Sequence, residues 1–423
     1  MLNKILRIIS LFLVIPMMAQ KSDSSPYSAL GIGSEVQSKT VRENSMGGTG
    51  TASISSSFSF SNPASYGDLE LSRYTLSGEN KALWLQDQNA SGNTSNAYFS
   101  YLAVGIPLGK RGGFAFGTQH NSTIGYSINQ IEYDIDGSIA REVNYEGDGG
   151  TNRVFLGFGF EVAEGLNLGL EGKYIFGKGT SFQTDTKAGA ELSTRYKSTA
   201  SGNGFGYKLG ATYKRQLGTV LMRLGTSVEL QTDLDISGDE YIYSIGTNIV
   251  ARDTILDRRL NGFHTTPFKT NIGVSFGDAR KWELAADLSF RDAISHNGDL
   301  IVDNGRLSYN EYYRASIGGA FTPRYNSLTR YWKRIEYRAG MYFEQTGLQV
   351  KPSGSTQDFT GINKFGISFG MGLPVGKRSS KLETSFEYAE QGTTTNGLTQ
   401  ERIFMLRFAL EFSDKWFKKR EIN

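Results

Sequence analysis

The chain of 423 residues has no cysteine, which excludes a disulfide scaffold, thiolate chemistry and cysteine-based metal sites. Proline is scarce, at 8, so long stretches are free to pair as strands. There are only three histidines, His120, His264 and His296, far apart in sequence and without metal-ligand spacing. No segment carries about eighteen uninterrupted apolar residues, so no spanning helix is expected. Net charge is only +3, which indicates no general affinity for nucleic acid.

What is present is glycine (51), phenylalanine (26) and tyrosine (22), arranged with period two. The last segment shows this best. Phe404, Leu406, Phe408, Leu410 and Phe412 fall on one face, with Met405, Arg407, Ala409 and Glu411 on the other. Period two means strand. About fourteen such segments run from Leu69 to Phe412, too many for separate cores, so each must turn one face to a common apolar phase. The expected fold is all-β: a transmembrane antiparallel β-barrel of about fourteen strands, with lipid outside and a polar lumen.

The segments are expected near 69–79, 96–108, 112–128, 150–163, 166–182, 203–216, 219–234, 263–276, 281–294, 308–321, 333–348, 362–375, 378–391 and 400–412. Short joints alternate with long ones, the latter including 129–149, 183–202 and 235–262, as tight periplasmic turns alternate with external loops. The joint 322–331, TPRYNSLTRY, falls on the short-turn side yet is long, basic and aromatic. Outward faces read Trp282 to Phe290, Ile335 to Phe343 and Phe365 to Leu373 in alternation. The inward set mixes signs: Lys173, Arg223, Arg314, Arg338 and Arg407 against Asp287, Glu336, Glu383 and Glu387. It reads as a network of lumenal ion pairs or as a charged conduit, but the acids are too many for a uniformly cationic channel.

The N-terminus, MLNKILRIISLFLVIPMMAQ, has a basic start, a short apolar core and a small residue at Ala19, so 1–19 is expected to be a secretory signal peptide. Residues 20–67 do not alternate and are rich in Ser, Gly and Asn, yet Tyr27, Leu30, Ile32, Met46, Ile54, Phe58, Phe60 and Tyr66 need burial. A hatch plugging the lumen meets that need. Residues 68–412 form the barrel, and 413–423 a basic, aromatic periplasmic tail.

Within the hatch, Gly47-Gly48-Thr49-Gly50-Thr51-Ala52 is followed by a Ser-rich spacer and Asn62-Pro63-Ala64. This resembles the hatch of the FadL family of outer-membrane transporters for hydrophobic compounds, a fourteen-stranded barrel fold. The match covers about twenty residues, and Ser55-Ser56-Ser57 stands where that family often has an acidic pair. Physically, Pro63 biases Asn62 towards an extended conformation, and Asn62 can bond local backbone, as a hinge or as a simple strand-entry turn. Gly157, Gly159 and Gly169 leave two readings open: a kink in the wall, or room for the hatch. The signal end PMMAQ and the ending DKWFKKREIN resemble exported barrels of the Bacteroidetes, a phylum that also uses FadL-like barrels in its type 9 secretion system.

No enzyme and no cofactor are expected. The run from Gly172 to Gly179 nearly spells a phosphate loop, but it has Gly179 in place of Ser or Thr and lies in a strand. The resemblance implies passive uptake of small hydrophobic molecules, long-chain fatty acids or aromatic hydrocarbons, from the bacterial outer membrane, with both termini periplasmic. The alternative is a non-transporting barrel subunit docked on a type 9 secretion machine. Expected partners are outer-membrane lipids, a hydrophobic small-molecule ligand or detergent, the barrel assembly machinery and a secretion complex. An apolar, ligand-sized cavity would support uptake. A solidly filled lumen would support docking.

Overall fold

The computed structural model describes residues 25–415 except 30, 32, 56, 247–250, 279, 299–306, 352–357 and 377–379. The expected signal peptide, Leu30, Ile32, Ser56 and most of the tail lie outside these residues.

The strands, in chain order, are β1 (Ser34–Glu35), β2 (Ser72–Gln86), β3 (Ser91–Pro107), β4 (Gly112–Tyr133), β5 (Ile139–Ala163), β6 (Leu166–Lys187), β7 (Ser193–Leu217), β8 (Val220–Glu229), β9 (Thr232–Ile245) and β10 (Ala251–Thr266). They continue as β11 (Lys269–Asp278), β12 (Trp282–Arg291), β13 (Ser295–Gly298), β14 (Leu307–Tyr309), β15 (Tyr312–Phe321), β16 (Glu336–Val350), β17 (Thr360–Val375), β18 (Ser380–Gln391) and β19 (Gln400–Asp414). Five of these nineteen, β1, β9, β10, β13 and β14, lie off the ring; the other fourteen close it, every pairing antiparallel. The seam joins β19 to β2 from Gln400↔Gln86 to Asp414↔Ser72. Closure matters because an open edge in hydrocarbon would leave backbone groups unsatisfied.

The alternation sorts the side chains as expected. Leu406, Phe408 and Phe412 are exposed on the outer face, while Arg407, Ala409 and Glu411 are buried. Leu284, Leu288 and Phe290 face out against buried Glu283, Asp287 and Arg291. Ile335 departs from the expectation: it lies just before β16 and is fully buried, and the outward series starts at Tyr337. A cation at Phe408, near the middle of its strand, is expected to cost about 2–4 kcal/mol. Urea titration of Phe408→Arg in vesicles, followed by heat-modifiable gel mobility, measures it; an unchanged midpoint would mean the face is misassigned.

Three joints expected as loops are largely strand. β5 and β7 run for 25 residues each, and β4 and β6 for 22, where about 9–11 cross a bilayer. The outward apolar residues of β5 lie at Val154, Leu156, Phe158 and Phe160, towards the end of the barrel with the short turns. The opposite halves, joined by Asn129↔Asn144 and Thr184↔Arg195, stand as polar hairpins beyond that band. β9 and β10 make a further hairpin there, continuing β8 and β11 past breaks at 230–231 and 267–268.

One seam of the wall is incomplete. β3 pairs with β4 only from Tyr101↔Gln119 to Pro107↔Gly113, although β3 continues along β2 to Ser91 and β4 along β5 to Tyr133. The two strands part at an irregularity between His120 and Ser122, where a His120 ring nitrogen lies 2.8 Å from the Phe99 carbonyl oxygen. There β1 pairs with Ser122 and Thr123 of β4.

Candidate functional site

The described residues between Ser25 and Leu69 make polar contacts with wall strands on all sides of the ring. Thr40 opens a short helical turn (Val41–Asn44) with a reciprocal cap: its hydroxyl accepts from the Glu43 amide at 3.2 Å, and its amide donates to Glu43 Oε2 at 2.6 Å. Glu43 Oε1 also accepts from the hydroxyls of Ser59 and Ser61, each at 2.6 Å. One buried carboxylate thereby ties both ends of the segment together. Burial pushes Lys39 below the usual lysine value, against the pull of Glu43 and Asp287.

The Gly-rich stretch is held by its backbone. The amides of Gly50 and Thr51 both donate to Asp287 Oδ2 at 2.9 Å, and the Ile54 amide donates to Glu283 Oε1 at 2.9 Å. The Gly47 amide donates to Ser368 Oγ at 2.9 Å, and Arg314 donates to the Gly47 carbonyl at 3.0 Å. Gly47 and Gly48 have φ of +71° and +87°, a region L side chains avoid. Gly50 lies so close to Glu43 that a Cβ would stand 2.2 Å from Oε1. The glycines of this stretch therefore let backbone amides reach fixed carboxylates.

Asn62 is fully buried and its extended backbone (φ −146°, ψ 115°) caps a 3-10 turn, Pro63–Asp68. Its side chain accepts from the Ala64 amide at 3.0 Å and donates towards the carbonyls of Thr51, Ala211 and Thr226 at 3.0–3.1 Å. It is both the turn expected from sequence and a clamp onto β7 and β8. The wall glycines facing this turn make room for it: a Cβ on Gly169 would lie 2.3 Å from the Ala64 amide nitrogen, and one on Gly159 would lie 2.6 Å from the Pro63 carbonyl. A Cβ on Gly157 would meet the Tyr66 ring. Phe58, Phe60 and Tyr66 pack with Tyr101 and Phe155, and the Tyr66 hydroxyl donates to Glu171 at 3.0 Å.

The lumenal charges are brought together in pairs and chains. Arg42 bridges Glu283 at 2.7 Å and Glu336 at 3.0 Å; Glu336 also meets Lys381 at 2.9 Å and Arg338 at 3.1 Å. Arg338 continues to Glu383. Arg407 bridges Glu387 at 2.7 Å and Glu79 at 2.9 Å. Arg314 pairs with Glu344, Arg223 with Asp68, and Lys173 with Glu229 at 2.7 Å. Sequence reasoning missed Arg42 and Glu43 as members, although Thr40-Val-Arg-Glu43 carries the capping-box spacing that marks the turn holding them. It also set the histidines apart. His264 and His296 are register partners in β10 and β13, and their Nδ1 atoms lie 3.0 Å apart. Among the described residues no group of three or more His, Asp or Glu converges to hold a metal.

A cavity of about 100 Å³ remains between β1 and the wall. Glu35, Arg153, Lys173, Glu229, Lys269 and Arg291 line it on its charged side, and Val36, Ile175, Leu230, Leu234, Pro267 and Ile294 on its apolar side. Its lining mixes charged and apolar groups in about equal parts.

A closed fourteen-stranded wall around an internal N-terminal segment defines the chain as an outer-membrane β-barrel of FadL-like fold. The chain is 11% identical to a Pseudomonas aeruginosa FadL homologue, with a TM-score of 0.60 over 90% of this chain and 98% of that one. It is 15% identical to the Pseudomonas putida toluene transporter TodX, with a TM-score of 0.57 over 90% and 99%. It is 14% identical to the CymD monoaromatic hydrocarbon channel, with a TM-score of 0.57 over 89% and 98%. No curated protein matches it. The family model described as BamG matches residues 1–423, and the chain belongs to that family.

Proposed function

We propose that this protein is a non-conducting barrel subunit that serves the barrel assembly machinery of the outer membrane. The observation that carries this reading is how firmly the segment is held: wall carboxylates hold the backbone at Gly50, Thr51 and Ile54, and Arg42 ties the segment to Glu283 and Glu336. That arrangement closes the bore with fixed contacts, and the cleft that remains is of mixed charged and apolar lining. The family's name, BamG, carries the prefix of the assembly machine and supports it as the docking partner, where the sequence-based alternative to uptake is a type 9 secretion machine. The test is isolation of the tagged protein from native membranes in mild detergent. Stoichiometric recovery of the machine's central barrel supports the reading. Recovery of the protein alone, with a fatty acid in its lumen, counts against it.

In the proposed orientation the leader is removed, both termini are periplasmic and the long hairpins face outside. A cysteine at Gly246 is then expected to react with an impermeant maleimide on intact cells, and one at Lys110 to react only after lysis. The reverse pattern would invert the topology.

The second reading is uptake of long-chain fatty acids or aromatic hydrocarbons. The incomplete seam between β3 and β4 favours it, because a slot in the wall would let a hydrophobic solute pass sideways into lipid. The likeness to the toluene and monoaromatic channels fits the same reading.

A further inference from the structure

We infer that the loop 322–335, at the short-turn end of the barrel, is a binding site for the phosphate of anionic phospholipids in the adjoining leaflet. This goes beyond the assembly role and does not depend on it. Between Thr322 and Ile335 there are four cations, Arg324, Arg330, Lys333 and Arg334, and no acid. No carboxylate bridges any of the four among the described residues. Arg280 and Lys281 of the neighbouring β11–β12 turn stand beside them, Lys281 paired with Asp278 at 3.3 Å, where the Thr322 amide donates to the Lys281 carbonyl at 2.7 Å.

The aromatic residues decide between lipid and a soluble partner. The loop is folded back on the wall. The Arg324 amide donates to the Lys333 carbonyl at 2.7 Å, and a short turn, Tyr331–Arg334, closes it. The Tyr331 hydroxyl donates to the Pro374 carbonyl of β17, and the hydroxyl of Tyr337, on the outer face of β16, donates to the Trp332 carbonyl, each at 3.2 Å. Trp332, 70% exposed, therefore sits beside the outer wall, in line with the exposed side chains of Tyr337, Met371 and Val375. Arg280 lies over the Tyr325 ring at 5.5 Å and Arg334 over the Tyr331 ring at 5.3 Å. Aromatic residues bordering the apolar band with cations immediately beyond them match a membrane interface, where rings settle among headgroups and cations meet phosphates. Leu328, 99% exposed at the tip, adds an apolar anchor.

The test uses the full protein in phosphatidylcholine nanodiscs doped with phosphatidylglycerol, with retained lipid counted by native mass spectrometry. About fivefold in affinity is expected per cation near the surface. The wild type should retain phosphatidylglycerol over phosphatidylcholine by about tenfold or more at low salt. The triple variant Arg330→Gln, Lys333→Gln, Arg334→Gln should lower the ratio severalfold while keeping heat-modifiable mobility. The control pair Lys110→Gln, Arg111→Gln, at another turn, should leave the ratio unchanged. Equal retention of the two lipids by the wild type, or an undiminished ratio in the triple variant, overturns the proposal. So does displacement of phosphatidylglycerol by millimolar inorganic phosphate, which would mark a free-phosphate site. A Leu328→Cys side chain shielded from maleimide in the cell envelope, but reactive in anionic nanodiscs, would mean that a protein covers the loop, and would also overturn it.

Discussion

Deletion of residues 25–60, with the leader and the wall kept, is expected to turn a closed barrel into an open one. Fourteen tilted strands enclose a bore wider than the roughly eight-stranded size at which wall side chains alone fill the interior. In the intact protein the bore is filled by Val41, Met46, Phe58 and Phe60 and by the backbone of the Gly-rich stretch. Without them, Asp287, Glu283, Arg314 and Lys208 face water. Single-channel recordings in planar bilayers should show near-zero conductance for the full chain and steady open-pore conductance for the deletion. Heat-modifiable mobility checks that the deleted protein has folded. A folded deletion that stays silent would show that the segment is not what closes the lumen.

The second large effect is expected at Arg42. Its guanidinium is the only charge the helical turn offers to Glu283 and Glu336 among the described contacts. Arg42→Ala leaves the buried Glu283 without its cation, while Glu336 keeps Lys381 and Arg338; breaking a buried pair costs about 3–5 kcal/mol. The wall itself is held by backbone pairing and lipid, so the loss should fall on docking of the segment. Arg42→Ala should raise the frequency of brief conducting events and expose the segment to added protease in detergent. Arg42→Lys keeps one charge but loses the forked geometry, and should fall between the two. A silent, protease-resistant Arg42→Ala protein would mean that the other contacts hold the segment without it.

The wall was legible in the sequence because each crossing strand sets ten or so residues against two different media. That is why Leu284 and Phe408 could be placed outside and Asp287 and Arg407 inside from spacing alone. The upper halves of β4 to β7 were not legible. Around Thr184, Asp185 and Thr194 both faces are polar, so the period-two signal vanishes although the backbone still pairs. In the hatch, Asn62 and Pro63 could be read from sequence as a turn, whereas Gly47, Gly48 and Gly50 stood out only as a Gly-rich motif. What each glycine approaches was not legible, because Asp287 lies 237 positions from Gly50. The glycines of β5 and β6 were open to two readings from sequence, and the positions of Pro63, Ala64 and Tyr66 against them favour clearance for the segment. The pairing of His264 with His296 depends on the register of two strands above the ring, which no local pattern encodes.

The most direct test of the central claim is depletion of this protein from its own cells, with two assays run side by side. One follows the folded, heat-modifiable yield of unrelated outer-membrane barrels, and the other the uptake of radiolabelled toluene and oleate. A filled barrel that serves assembly predicts that barrel yield falls while uptake per unit of membrane is unchanged. Slowed uptake with normal barrel yield would contradict it.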